Sequence, residues 1–327
     1  MNNYDPMLIR PYPIERHPVV RREYLLSSDP ISYAWEHLYR AIRRRSGGLV
    51  FWGMYRAGKS KMIEYLALEA KSRYRDLPTA KMDAEQNSYV SSKEFYVGLC
   101  NAVGASATGT AGECKRQAIR RMVEQGKRNP PQVYLLFIDE PQKWTDLQLT
   151  WLCEVYDKLE ESNIRLISVL VGQRELVTFR KQYLERGNGV VITRLMNTIV
   201  EFMGLRSIDE VAYVLQGYDT LIESDPDWPA TRFFFPRAYA KGFRLENCAT
   251  VIWRAFSIAT DNQGRFNECR IPMKHLTGIV EILLSEYCEC DNENFELEQA
   301  LVEQLLSEVF FCDYLTMADV TLYGRIS

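Results

Sequence analysis

Histidine and long apolar runs are what this chain has least of. Three of its 327 residues are histidine, His17, His37 and His275, and each is isolated in the sequence. Eight cysteines are scattered along the chain; only Cys288-Glu-Cys290 is closely spaced. No second pair or histidine follows it at zinc-site spacing, so the cysteines read as reduced, mostly buried thiols of a cytoplasmic protein. The longest apolar runs, such as 133–138 and 166–171, are strand-sized. Nothing approaches the roughly 18 residues that cross a bilayer, so no membrane contact is expected. Residues 1–22 hold prolines and arginines but no apolar core of a secretory signal. Net charge is also small, −3, which argues against a wholly basic nucleic-acid binder.

What is present is a packable composition, 46% hydrophobic and 25% charged, enough for a sizeable core. Charge is uneven. Residues 1–80 carry 14 Lys/Arg against 8 Asp/Glu, whereas 271–327 hold 11 Asp/Glu and only 2 Lys/Arg. A basic front and an acidic tail suit different partners, unless both are simply solvated surface.

The pattern along the chain divides it into four parts. Residues 1–45 read as an extended, proline-containing arm and a helix that opens at Asp29-Pro30. In 46–206, short apolar strands at 49–52, 79–82, 133–138, 165–171 and 198–202 alternate with helical stretches at 59–70, 92–103, 113–124 and 147–160. Strands separated by helices imply an α/β fold with a parallel, doubly wound sheet. After 206 the strands stop. Ser207-Ile-Asp-Glu210 matches a capping box, and helices are expected near 208–222, 244–259 and 274–286, a small all-helical lid over 207–290. An acidic helical tail, 291–327, with a helix over 295–312, completes the chain.

Gly53-Met-Tyr-Arg-Ala-Gly58-Lys59-Ser60 follows an apolar strand and opens a helix, the context of a Walker A loop. Its glycines let backbone N–H groups curl around phosphates at a helix N-terminus. Gly53, Arg56, Ala57, Gly58, Lys59, Ser60 and Lys61 form the expected ATP-binding set, with Lys59 reaching the β- and γ-phosphates and Ser60 ligating Mg²⁺. The strand 133–138 ends in Asp139-Glu140. Asp139 is expected to bind Mg²⁺ and Glu140 to act as general base on water; helix-cap carboxylates are the plainer alternative. Gln173, at the tip of the fourth strand, is placed to hold the lytic water. Between the fourth and fifth strands lie Arg186 and Arg194. Arg194, just before the fifth strand, is the expected arginine finger acting on a neighbouring subunit, with Arg186 the alternative. Arg244, after Lys241-Gly-Phe, is placed to reach the γ-phosphate from the lid. Basic groups at 43–45, 71–75 and 115–121 offer faces that grip phosphate backbones without reading bases.

Together these elements resemble an AAA+ P-loop ATPase. Within that class, Val169-Leu-Val-Gly-Gln-Arg-Glu-Leu176 resembles the corresponding stretch of the TnsC/TniB transposition regulators, related to MuB and ExeA-type ATPases. The resemblance covers about 45–260. It implies a bacterial, cytoplasmic protein that forms an ATP-dependent ring or filament on duplex DNA, six subunits per turn. It would link a target-selection protein to a transposase, including those of CRISPR-associated transposons, with hydrolysis controlling assembly. Lys59, Ser60, Asp139, Glu140, Gln173, Arg194 and Arg244 match motif positions. The stretch 84–125 is the least alike; within it Lys93, Arg116, Arg120 and Arg121 are the candidate DNA contacts. The alternative is a nucleotide-gated switch ATPase, ExeA-like or helicase-loader-like, without a transposition role.

Overall fold

The computed structural model describes residues 9–85, 89–220, 227–261 and 269–323, with side chains to 317. In chain order, a 3₁₀ turn (Ile14–Arg16) and α1 (Pro18–Arg21) precede α2 (Asp29–Arg44), β1 (Leu49–Trp52), α3 (Lys59–Arg73), β2 (Thr79–Asp83), α4 (Ser92–Val103) and α5 (Ala111–Gly126). Then come β3 (Val133–Asp139), α6 (Asp146–Glu161), β4 (Arg165–Gly172), α7 (Glu175–Glu185), α8 (Gly189–Leu195) and β5 (Thr198–Glu201). The rest is helical: α9 (Ile208–Thr220), α10 (Ala230–Phe234), α11 (Pro236–Ala240), α12 (Ala249–Asp261), α13 (Met273–Glu286), α14 (Gln299–Glu308) and α15 (Phe311–Tyr323).

Two compact units emerge. One comprises Ile31–Tyr55 and Lys59–Phe202; the other comprises Met1–Pro30, Arg56–Gly58 and Met203–Ser327. The first is built on a five-stranded sheet of order β2-β3-β4-β1-β5, every pairing parallel. Every residue of β3 is buried, and all but the first of β4, as strands covered by helices on both faces must be. Apolar side chains such as Leu136, Ile138, Leu166 and Leu170 therefore all enter the core, each contributing about 1.5–3 kcal/mol.

The expected extended arm is a correction. Residues 1–8 lie outside the described residues, but the rest of the arm is folded into the helical unit. His17, fully buried, packs its ring 4.5 and 4.6 Å from Phe233 and Phe234. Arg10 donates from Nε to the Phe233 carbonyl at 2.8 Å, and Tyr24 donates to Glu281 at 2.6 Å. Proline-rich, aperiodic sequence still buries well when side chains satisfy its polar groups. Three helical readings also shift. α7 and α8 fill the stretch between β4 and β5, for which no helix is expected from the sequence, and Gly187-Asn-Gly189 separates them. The lid helix expected from 244 begins at Ala249, after a 3₁₀ turn at Glu246–Cys248. The tail helix over 295–312 is α14 and α15, broken at Phe310, whose φ of +54° no helix accommodates. The end of the helix expected at 208–222 lies outside the described residues beyond Thr220, as does the tail after 323.

Candidate nucleotide site

Register brings the candidate residues to one edge. β1 pairs β4 with Trp52 opposite Gly172, and β3 pairs β4 with Asp139 opposite Val171. Gly53, Asp139, Glu140 and Gln173 thus all emerge at the carboxyl ends of adjacent parallel strands, where open α/β sheets bind ligands. Two further backbone bonds hold the turn: Gly53 N–H to Gly172 O at 3.1 Å, and Glu140 N–H to Val171 O at 2.7 Å. Gly53 must be glycine, since a Cβ there would collide with the Phe202 carbonyl.

The loop that follows turns through left-handed backbone at Arg56 (φ +63°) and Gly58 (φ +98°) before α3 begins at Lys59. Such turns point successive N–H groups one way and make an anion-binding concavity. Lys59 is buried; its Nζ donates to the carbonyls of Gly53 and Met54 at 2.9 and 2.8 Å. Burial lowers its pKa, opposed by the nearby Glu140, Asp139 and Glu175. Ser60 donates from Oγ to Asp139 Oδ2 at 3.3 Å. Two oxygens of a hydroxyl and a carboxylate beside a phosphate-shaped loop suit Mg²⁺, which takes one or two carboxylates and completes its shell with phosphate and water. Lys81 of β2, which no motif marks, lies 3.4 Å from the same Oδ2 and 2.8 Å from Asp83. Burial alone would lower the Lys81 pKa; its bonds to Asp83 and Asp139 reverse this and raise it.

Glu140 sits in left-handed backbone (φ +57°) just past β3. Its Oε2 accepts from Gln173 Nε2 at 3.1 Å and from Gln142 Nε2 at 2.5 Å. The structure thus joins Gln173 directly to Glu140. Gln142 escaped the sequence reading, although its place two residues after the Asp-Glu pair could have flagged it. Gly172 makes room for it, because a Cβ there would collide with Gln142 Oε1.

The arginines are engaged elsewhere. Arg194, on α8, pairs with Asp157 of α6 at 2.7 Å and lies 5.8 Å from the Tyr156 ring centroid. Arg186 pairs with Asp146 at 3.0 Å, but its side chain is 59% exposed against 30% for Arg194. Arg244 donates from Nη1 to the Tyr239 and Phe243 carbonyls and lies over the Tyr239 ring, 3.4 Å from its centroid. Among the candidate DNA contacts, Lys93, Arg116 and Arg120 are exposed, with Arg120 bonded to Glu124 on its own helix at 3.1 Å. Arg121 differs from these three: it is half-buried, and its Nε, shielded from solvent, has no partner among the described residues. One position further round α5 turns its side chain inward.

A family model described as an AAA domain matches residues 42–179. The fold is similar to that of the Aeropyrum pernix ORC2 protein, solved in ADPNP–ADP complexes, with a TM-score of 0.58 and 11% identity over 89% of this chain and 71% of that one. It is also similar to the Aeropyrum pernix ORC1 protein in complex with DNA, with a TM-score of 0.50 and 15% identity over 90% of this chain and 69% of that one. At such identities the likeness is one of fold. No curated protein matches the sequence. No described helix is long and apolar enough to cross a membrane. Residues 42–179 thus match the model of an AAA domain, in a chain that shares the α/β fold with C-terminal helices of the ORC structures it resembles.

Proposed function

We propose that this protein is a DNA-associated ATPase that assembles on duplex DNA when it holds ATP, and that hydrolysis limits the assembly. The observation that carries this reading is the convergence of Lys59, Ser60, Asp139, Glu140 and Gln173 at the ends of β1, β3 and β4. Lys59 and the loop N–H groups would hold the phosphates; Ser60 and Asp139 would hold Mg²⁺, which when bound neutralises phosphate charge. Glu140 takes the proton of the attacking water, and Gln173 and Gln142 aim its carboxylate. A second copy supplies the arginine that completes the site. Arg194 is the motif match; Arg186 is the more exposed.

DNA association is supported by the exposed Lys93, Arg116 and Arg120 and by the fold shared with the ORC1 protein solved in complex with DNA. A role in transposition, linking a target-selection protein to a transposase, is supported by the resemblance of Val169–Leu176 to TnsC/TniB regulators. The fold likeness to ORC proteins favours a second reading, an initiator-like or helicase-loader-like switch with no transposase partner. Fluorescence anisotropy on duplex DNA of arbitrary sequence, with a non-hydrolysable ATP analogue, tests the shared claim. Binding should need the analogue, fail in Lys59→Ala and weaken steeply with salt. Nucleotide-independent binding, or none at low salt, rejects it. Capture of a transposase or of a replicative helicase on those assemblies then decides between the two readings.

A further inference from the structure

The start of α13 grips the tip of the nucleotide loop, and both belong to the helical unit. Consecutive residues of α13 each meet it. A Cβ on Gly58 would lie 3.2 Å from Met273 Cβ. Lys274 donates its N–H to the Arg56 carbonyl at 3.3 Å. His275 Nε2 lies 3.3 Å from Arg56 Nη1. A guanidinium only donates, so Nε2 accepts and the neutral ring carries its proton on Nδ1. Burial first, then Arg56 and Lys274, lower the imidazole pKa to about 4, which keeps it neutral at ordinary pH.

His275 is 1% exposed, and its Nδ1 has no hydrogen-bond partner among the described residues. Burying a polar ring with one atom unsatisfied is costly. An apolar side chain would fill the same space without that cost. What the imidazole adds is an acceptor for Arg56, which stands in sparsely populated left-handed backbone (φ +63°). The ring itself is seated by α15: Phe311 and Tyr314 lie 5.3 and 4.7 Å away, centroid to centroid.

We infer that His275 is a positioning residue, fixing Arg56 and hence the shape of the nucleotide loop, and that α15 controls nucleotide affinity through the seat that Phe311 and Tyr314 give the ring. The inference rests on reading Gly53–Ser60 as the nucleotide loop. It assigns the C-terminal helices a part in nucleotide binding that no motif in them announces.

A fluorescent ATP analogue, titrated into the full chain, provides the test. His275→Ala should weaken binding about tenfold, the scale of one hydrogen bond to a charged group. His275→Gln, whose Oε1 can accept from Arg56, should recover most of the loss. In an Arg56→Ala background His275→Ala should add little, since the two act as one unit. Phe311→Leu should shift affinity in the same direction as His275→Ala, by less. Thermal denaturation of each variant separates loss of fold from loss of binding. Should His275→Ala not fold, Arg56→Ala with and without Phe311→Leu closes the same cycle. Equal losses for Ala and Gln, or effects that multiply independently, overturn the role of His275; unchanged affinity in Phe311→Leu overturns that of α15. A wild-type chain that binds no ATP would instead reject the loop reading beneath both.

Discussion

At the scale of single residues, the sheet edge turns two kinds of side chain, a carboxylate and a pair of amides, into one device. Glu140 is held by two glutamine amides from different strand ends, so its carboxylate is aimed before any substrate arrives. Glu140→Gln keeps the shape and removes the proposed base. Steady-state hydrolysis should fall by about 10²–10⁴-fold while ATP affinity stays within about twofold, measured by phosphate release and by titration. Gln142→Ala should lower kcat with little change in KM; an unchanged kcat would leave Gln142 a mere packing residue. Gly53 makes a different demand. Gly53→Ala drives a methyl into the Phe202 carbonyl and should cost about 1–3 kcal/mol in denaturant unfolding. These sites differ in legibility. Gly53, Lys59 and Asp139 announce themselves because a glycine turn between strand and helix is a short-range pattern. Lys81 and Gln142 do not, because a lone lysine or glutamine acquires meaning only from the strand laid beside it.

At the scale of elements, α5 shows how helix phase sorts similar charges. Arg116 and Arg120 are four apart and share an exposed face, while Arg121 turns inward. If α5 meets DNA, Arg116→Glu with Arg120→Glu should weaken binding at every sequence alike. Each lost contact should reduce the salt slope by about one. Arg121→Ala should leave that slope intact and lower stability by about 1 kcal/mol, seen in chemical denaturation. An equal effect of Arg121 on the slope would put it back on the surface. α7 and α8 teach a related lesson. They separate the two candidate fingers and anchor each to α6, through Asp146 and Asp157. A finger must leave such a pair to act on another copy. Mixing a Lys59→Ala chain with Arg186→Ala or Arg194→Ala chains, and measuring hydrolysis against concentration, identifies it. The finger variant hydrolyses poorly alone, but its intact nucleotide sites are completed by the arginine of the Lys59→Ala partner, so hydrolysis recovers on mixing.

At the scale of the molecule, the helical unit carries two buried imidazoles. His17 and His275 each have a pKa lowered from 6.5 to about 4, chiefly by burial. A base kept neutral in the fold takes up its proton on unfolding, so acid favours the unfolded chain. Their stabilisation is therefore fully present above pH 6.5 and is lost as pH falls from 6.5 towards 4. Thermal denaturation between pH 7.5 and 4.5 should show this decline. His275→Gln should remove about half of the slope that His17 and His275 contribute together, since these two imidazoles are shifted alike. A slope unchanged by that substitution would mean that His275 titrates normally.

Sequence by itself determined the alternation of strands and helices, the glycine turn between β1 and α3 and the acidic pair at the end of β3. Each is written in a local rule: apolar runs of strand length, glycines where a backbone must turn, carboxylates at a strand end. Tertiary structure decided the rest. Arg56 and His275 are 219 residues apart, and Arg10 and Phe233 are 223 apart. No periodicity reports such contacts, because they form only when packing closes the chain on itself. For the same reason the proline-containing arm read as extended and instead packs His17, Val19 and Leu26 into the helical unit, and the tail read as one helix and is two. Packing also spends the charges that composition merely counts. Arg194 and Arg244 look free in the sequence and are held in the fold by Asp157 and by the Tyr239 carbonyl, because a guanidinium near a carboxylate or a bare carbonyl finds its bond at home.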